Sequence, residues 1–255
     1  MSNHWDNDEA VRRWDVHARE LTARFGERGD LHREVLLNPV LLELLGDVTG
    51  KAVLDAGCGE GYMSRMLAAR GARVTAVDFS RGMLEIAAER TPAGVAIRYL
   101  HGSCEDLGFL ADGAFDVVLS NMSLQDVADY EVALREFARV LRPGGRLVLS
   151  ILHPCFSAPG CGWIRNYRGD RLLWRSDNYF SEGPYEQPWP LGAPDGVIGY
   201  HRTLTSYFAA IRRAGFSVEE LIEPKPSDEM LAKYPGFADD LRMAHFIVFG
   251  CGRHP

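Results

Sequence analysis

Apolar positions in the first fifty residues recur every three or four. Val11, Trp14, Ala18, Leu21 and Phe25 share one face of a helix before Gly26 to Asp30 breaks the run. A second helix is predicted over 31–46, with Pro39 at or near a break and Gly46 after its end. From residue 51 the period changes. Short apolar strands (52–55, 73–77, 95–100, 115–120 and 147–152) are separated by helical stretches, among them 81–90 and 129–141, the latter stopped by Pro143-Gly144-Gly145. Such alternation predicts parallel βαβ units with right-handed crossovers, an α/β doubly wound sheet. The rhythm fails after 152 and returns at Thr203, where Leu204, Tyr207, Phe208 and Ile211 mark a helix closed by Gly215. Strands are predicted over 216–223 and 244–249.

Composition narrows the function classes. The net charge is −7 and no run of Lys and Arg suggests a polyanion partner, so nucleic acid is not expected. No apolar run approaches the ~20 residues of a membrane helix. Met1 to Asp6 has neither a basic region nor an apolar stretch, so no signal peptide is expected and the chain reads as cytoplasmic. The five cysteines include no Cys-x-x-Cys pair and read as residues of a reducing compartment; no residue pattern implies a metal.

The chemistry concentrates in Val53-Leu54-Asp55-Ala56-Gly57-Cys58-Gly59-Glu60-Gly61. A buried strand turns sharply there and brings its backbone close to a ligand at a helix N-terminus, which favours residues without Cβ. About twenty residues on, Asp78 ends the second strand, where a carboxylate can accept both hydroxyls of a ribose. Dinucleotide sites use G-x-G-x-x-G; this chain has G-x-G-x-G, with carboxylates at Asp55 and Glu60 that would oppose a pyrophosphate. A ligand carrying an ammonium and a sulfonium suits them better, which favours S-adenosylmethionine over NAD.

Residues 51–152 resemble the class I S-adenosylmethionine-dependent methyltransferases, in the small-molecule branch typed with the ubiquinone-biosynthesis enzymes. The glycine motif carries the resemblance together with Val77-Asp78-Phe79-Ser80 and Met83-Leu84, Gly102 to Leu107, Phe115-Asp116-Val117-Val118 and Leu141 to Gly145. It implies a Rossmann-like, seven-stranded, mainly parallel sheet whose last strand runs antiparallel. It also implies a single domain: a helical cap (1–48), a cofactor-binding core (49–152), an insertion after the fifth strand (153–202) and a C-terminal part completing the sheet (203–255). By the same resemblance Gly57 and Gly59 cradle the methionine portion, with Asp55 acting on its ammonium. Asp78 takes the ribose, Phe79 and Met83 wall the adenine, and Ser103, Cys104 and Glu105 edge it. Asn121 lies beside the transferred methyl. Family members commonly carry Asp where Ser103 stands, which leaves Glu105 or a main-chain carbonyl for the adenine amino group.

The acceptor side has weaker signals. Asn121-Met122-Ser123-Leu124 lacks the Pro-Pro-aromatic continuation of enzymes that methylate planar amide or base nitrogens, so a small molecule is expected. The stretch 154–202 holds nine aromatic residues and six of the 13 prolines at the carboxyl edge of the sheet, where ligands bind in doubly wound folds. It is predicted to form an apolar lid over a flat acceptor, with Phe156, Trp163, Tyr179, Trp189 and Tyr200 as substrate contacts and Trp5, Trp14 and Phe25 closing the other side. A satellite hydrophobic cluster is the alternative. His153 and His201 are the candidate general bases, since an imidazole near pKa 6.5 suits a phenol, hydroxyl or ammonium acceptor. Arg33 is a candidate for the cofactor carboxylate. The expected function is methyl transfer to a hydroxyl or amine of a small aromatic metabolite by a monomer or homodimer, yielding S-adenosylhomocysteine and using no metal. The alternatives are C-methylation of an electron-rich ring, a non-catalytic cofactor-binding protein and, more distantly, a nicotinamide oxidoreductase.

Overall fold

A computed structural model describes residues 7–187 and 196–254. Seven strands form one sheet: β1 (Ala52–Ala56), β2 (Arg73–Asp78), β3 (Ile97–His101), β4 (Phe115–Asn121), β5 (Leu141–Leu152), β10 (Phe216–Ile222) and β11 (Phe246–Arg253), in the order β10-β11-β5-β4-β1-β2-β3. The pairs of β1 with β2 and β4, β2 with β3, and β4 with β5 are parallel, and β11 is antiparallel to both its neighbours. The strand order reverses between β1 and β4, so their carboxyl ends open a crevice there. Near-continuous apolar runs in the central strands follow from burial on both faces.

One face carries α5 (Tyr130–Val140) and α7 (Leu204–Arg213), which bury Leu134, Phe137, Tyr207 and Ile211 with Leu147, Leu149 and Phe249. The other carries α2 (Asn38–Leu45) and α3 (Tyr62–Ala69), where Leu37, Leu41, Met63 and Leu67 pack on Val53, Leu119 and Val248. The helix predicted over 31–46 divides into a π-helical segment (Arg33–Leu37) and α2, with Pro39 in the first turn of α2. The last parallel strand starts earlier than predicted, at Leu141. Pro143-Gly144-Gly145 is accommodated as an irregularity in register between Phe115↔Leu141 and Val117↔Arg146, with Gly144 at φ 70°.

The N-terminal helix α1 (Asn7–Thr22) lies on α4 (Arg81–Arg90). Gly82 permits the approach, because a Cβ there would come within 2.9 Å of the Asp15 carbonyl oxygen. Asp15 Oδ1 accepts from Ser80 Oγ (2.6 Å) and from the Gly82 amide (3.1 Å), while Ser80 Oγ caps α4 by accepting from the Met83 amide.

The insertion is two hairpins after a four-residue helix, α6 (Pro154–Ser157): β6 (Gly162–Arg165) with β7 (Arg171–Arg175), and β8 (Gly183–Gln187) with β9 (Val197–His201). Val197 joins Ala18, Leu21, Met83 and Ile86 in a small cluster beneath Trp14, so the second hairpin holds α1 down. Between β10 and β11 come α8 (Asp228–Lys233) and a 3-10 turn (Pro235–Leu241). No helix among the described residues is long and apolar enough to cross a membrane.

Candidate active site

The carboxyl ends of β1, β2 and β4 open into a cavity of about 740 Å³, part of it open to solvent. Asp55, Gly57, Gly59, Asp78, Phe79, Met83 and Asn121, seven of the predicted cofactor residues, line it. Trp14, Leu21, Thr22, Phe25, Arg33, Tyr62, Met122, Ser123 and Asp126 are among the other residues of the wall. Gly57, Gly59 and Gly61 all have positive φ (75°, 54° and 76°). A Cβ on Gly57 would lie 2.3 Å from Ser123 Cβ, whereas one on Gly59 would meet nothing within 4 Å. Gly57 therefore lets β4's following loop approach β1, and Gly59 keeps the cavity open.

Asp55 is buried and accepts from Ser64 Oγ (2.5 Å); burial pushes its carboxyl up to about 7. Asp78 accepts from the Gly59 amide (2.8 Å) and the Ser80 amide (2.9 Å), yet burial still raises it to about 6. One backbone donor occupies each Asp78 oxygen, which leaves lone pairs for a ligand's hydroxyls. Glu60 differs from the sequence-based expectation: Arg65 (2.7 Å) and Arg90 (3.2 Å) neutralise it, so Asp55, Asp78 and Asp126 are the carboxyls of this wall outside an ion pair among the described residues. Two desolvated carboxylates around an open glycine cradle fit a cationic ligand such as S-adenosylmethionine.

The remaining predicted cofactor residues divide. Ser103 and Glu105 border a small neighbouring cavity with Phe79 and Asp126, and Ser103 Oγ accepts from the Glu105 amide (3.1 Å). Cys104 points into the core under the sheet instead, and burial raises its thiol. Asn121 spends its side chain on the scaffold, donating to Tyr62 Oη (2.7 Å) and accepting from Ser150 Oγ (2.9 Å).

A second cavity adjoins the first and shares Trp14, Phe25, Arg33, Met122 and Asp126 with it, adding Arg24, Asp30, Leu31, His32, Gln125, Leu152, Gln187, His245 and Phe246. Met122, at φ 56°, stands at the junction, a strained conformation for a residue with a side chain. Its amide is held by the Ser150 carbonyl (2.9 Å) and hydroxyl (3.1 Å).

Neither candidate base lines these two cavities. His153 is buried; its Nδ1 accepts from the Cys155 amide (3.2 Å) and its Nε2 meets Glu223 (2.8 Å), so it caps α6. Burial lowers its basicity against the opposing pull of Glu223. His201 is buried with Nε2 on the Tyr179 carbonyl (2.7 Å).

The described insertion aromatics also lie away from both cavities. Trp163 packs edge-on to Trp174 with Arg242 over its ring, and both tryptophans line a third cavity. Phe156 lies beside His153, Tyr179 Oη accepts from the Leu204 amide, and Tyr200 stacks under Arg202. Trp5 and Trp189 lie outside the described residues. From the insertion, Gln187 alone among the described residues reaches the second cavity. The walls come instead from α1 and the 23–33 segment, through Trp14, Phe25 and Arg33, each of which the sequence had singled out.

Sequence reading also missed His32, Asp240 and His245, which converge where the second and third cavities meet. His245 Nε2 is 2.5 Å from Asp240 Oδ1, and the two imidazole centroids are 5.5 Å apart.

Comparison with known proteins agrees with this geometry. Residues 54–149 match the family model described as a methyltransferase domain. The chain is 41% identical over 203 residues to a demethylmenaquinone methyltransferase of Clavibacter sepedonicus, covering 71% of this chain and 79% of the relative. It is 39% identical over 150 residues to a ubiquinone biosynthesis O-methyltransferase of Xanthomonas oryzae, covering 57% and 63%. The chain thus spans less than two thirds of the second relative's length. A solved S-adenosylmethionine-dependent methyltransferase from Mesorhizobium loti superposes with a TM-score of 0.77 at 31% identity, covering 89% of this chain and all of that one. The glycine cradle, the paired carboxylates and these likenesses agree: the chain belongs to the class I S-adenosylmethionine-dependent methyltransferases.

Proposed function

We propose that this enzyme methylates a hydroxyl or amine of a small aromatic metabolite. The observation carrying the reading is the second cavity, which shares a wall with the cofactor cavity and sets the rings of Trp14, Phe25 and Phe246 among polar side chains that include Arg24, Asp30, Arg33, Gln125 and Asp126. Such a cavity suits a flat ring held with one edge toward Met122. The quinone-pathway names of two relatives are consistent with an acceptor of that kind.

When bound, S-adenosylmethionine supplies an electrophilic methyl on a sulfonium. The chain's own contribution is placement: holding two reactants in line is worth roughly 7–11 kcal/mol. We assign Asp55 to the ammonium, Asp78 to the ribose, Phe79 and Met83 to the adenine, and the Gly57–Gly59 backbone to the methionine portion. Trp14, Phe25 and Arg33 exclude water from the junction.

The test has two stages. Melting is followed with S-adenosylhomocysteine and, separately, with NADH; a ligand at 100 times its Kd adds about 2.7 kcal/mol. Labelled methyl transfer is then screened over phenols and amines. A shift with NADH alone, or transfer only to ring carbon, would overturn the reading.

A further inference from the structure

We propose that Asp126 receives the acceptor's proton, and that the acceptor therefore presents an O–H or N–H group at the atom to be methylated. Asp126 belongs to the 3-10 turn after β4 (Leu124–Asp126) and walls the cofactor cavity, the second cavity and the small cavity beside Ser103. With Arg33 it is one of two charged residues that line both the cofactor and the second cavity, and the one that can accept a proton there. Its residue exposure is 8%, and Oδ1 has no hydrogen-bond partner among the described residues. Oδ2 accepts only from Gln125 Nε2 (3.1 Å). Gln125, 7% exposed, is itself half-satisfied: its Nε2 also donates to the Met122 carbonyl (2.6 Å), and its Oε1 has no partner among the described residues. Native interiors rarely leave two adjacent polar oxygens unanswered, and both vacant positions are acceptors. A donor group on a ligand satisfies them.

The surroundings keep Asp126 uncompensated. The cations that face it are Arg33 and Arg202, and the other titratable groups are Asp78, Tyr185, Tyr207 and, across the small cavity, Glu105. Arg33 is paired with Asp30, and Arg202 donates to the carbonyls of Leu124, Val127 and Ala128. Burial pushes the Asp126 carboxyl up to about 8, a value suited to a base working near neutral pH.

The step balances without another reactant. The acceptor heteroatom's lone pair forms the new bond to the methyl carbon, the carbon–sulfur bond breaks with its electron pair remaining on sulfur, and the heteroatom's proton passes to the Asp126 carboxylate and on to solvent.

This inference rests on the hydroxyl-or-amine reading above, and the experiment separates the two. Wild type, D126N and D126A are compared for S-adenosylhomocysteine binding by calorimetry and for transfer from labelled S-adenosylmethionine to catechol between pH 5.5 and 10. Expected are cofactor affinities within threefold of one another, a loss of about 10²–10⁴-fold in kcat for D126N, and partial restoration of D126A by added formate. Wild-type rate should rise tenfold per pH unit up to about 8, whereas D126N should rise only toward the ionisation of the phenol itself, near pH 10. A D126N loss below tenfold, an unchanged pH profile, or no rescue of D126A overturns the role. So does a tenfold loss of cofactor affinity in D126N, which would make Asp126 a cofactor ligand. Wild type that binds S-adenosylhomocysteine but methylates no catechol overturns the inference and the hydroxyl reading while leaving the cofactor assignment standing; wild type that binds neither overturns the cofactor assignment.

Discussion

Gly57 and Gly59 sit two residues apart, both with positive φ, yet replacing each with alanine should break different things. Any L residue in the left-handed region costs roughly 1–2 kcal/mol, so both variants carry that penalty. At Gly57 the new methyl would also lie 2.3 Å from Ser123 Cβ and 2.6 Å from its Oγ. Ser123 cannot yield freely, because its hydroxyl donates to the Ala56 carbonyl (2.8 Å) and pairs with Ser120 Oγ (2.8 Å). Overpacking of this kind adds about 1–3 kcal/mol, and surrendering both hydrogen bonds costs a comparable amount. Gly57→Ala should therefore lose about 2–5 kcal/mol, lowering Tm by roughly 4–20 °C at ~2–4 °C per kcal/mol. At Gly59 the methyl meets no protein atom and projects into space on the cofactor cavity's wall, so the stability loss stays at about 1–2 kcal/mol. Its effect should fall on S-adenosylhomocysteine affinity, by tenfold or more, equivalent to ~1.4 kcal/mol. Differential scanning fluorimetry of the apoproteins and calorimetric titration separate the two. The reasoning fails if Gly57→Ala melts no lower than Gly59→Ala, or if Gly59→Ala binds S-adenosylhomocysteine as wild type does.

Asp55, Asp78 and Asp126 have folded pKa values of about 7, 6 and 8, above the ~3.9 of an unfolded chain. Between pH 4 and 8 the unfolded chain holds fewer of these protons, so their contribution to stability is complete below about pH 4 and is lost as pH rises through 6 to 8. Urea midpoints of the apoprotein should show a loss between pH 5.5 and 8 that shrinks in D126N; an equal loss in both proteins counts against a raised Asp126. Asp15→Ala removes the acceptor of Ser80 Oγ and the Gly82 amide and should weaken S-adenosylhomocysteine binding at least fivefold by loosening α1. Arg19→Ala, which breaks an exposed pair with Glu89, should change affinity less than twofold, and equal effects in the two variants would refute the latch. His153→Ala should lower Tm by roughly 2–8 °C through loss of the α6 cap and the Glu223 contact, with calorimetric cofactor affinity within twofold. Its transfer to catechol should fall less than tenfold, and a larger fall in kcat at unchanged affinity would restore His153 as a base.

The cofactor half of the site was readable because its signal is local. A strand, a glycine turn and an acid twenty residues on encode their own geometry, and Asp55, Gly59 and Asp78 meet where that encoding says. Cys104 was misplaced for an equally local reason. Alternation along an irregular loop does not say which side faces the core, and Leu107 and Leu110 draw the segment inward. The second and third cavities depend on contacts that no spacing records. His32, Asp240 and His245 come from the N-cap of the π-helical segment, a 3-10 turn and the residue before β11, and only the closed sheet brings them together. The aromatic insertion misled because composition reports what is buried without reporting against what. Trp163 and Trp174 pack edge-on across β6 and β7 with guanidinium groups over Trp163, and the half-buried pair lines the third cavity instead of the two beside the glycine turn.

Val197 gives the second hairpin a different purpose from the lid its composition suggested. By packing under α1 with Leu21 and Met83, it fixes the helix that supplies Trp14 to both cavities. The same short stretch of chain, α1 through Arg33, thus faces both cavities at once, the proposed cofactor and acceptor sites. A wall shared in this way couples the two sites: whatever ordering one ligand imposes on Trp14, Phe25 and Arg33 is ordering the other need not impose again, and the gain is reciprocal. The glycine turn and its acids lie at strand ends, while the second cavity is walled in part by α1 and by Asp126, whose unanswered oxygen lies where the two cavities join.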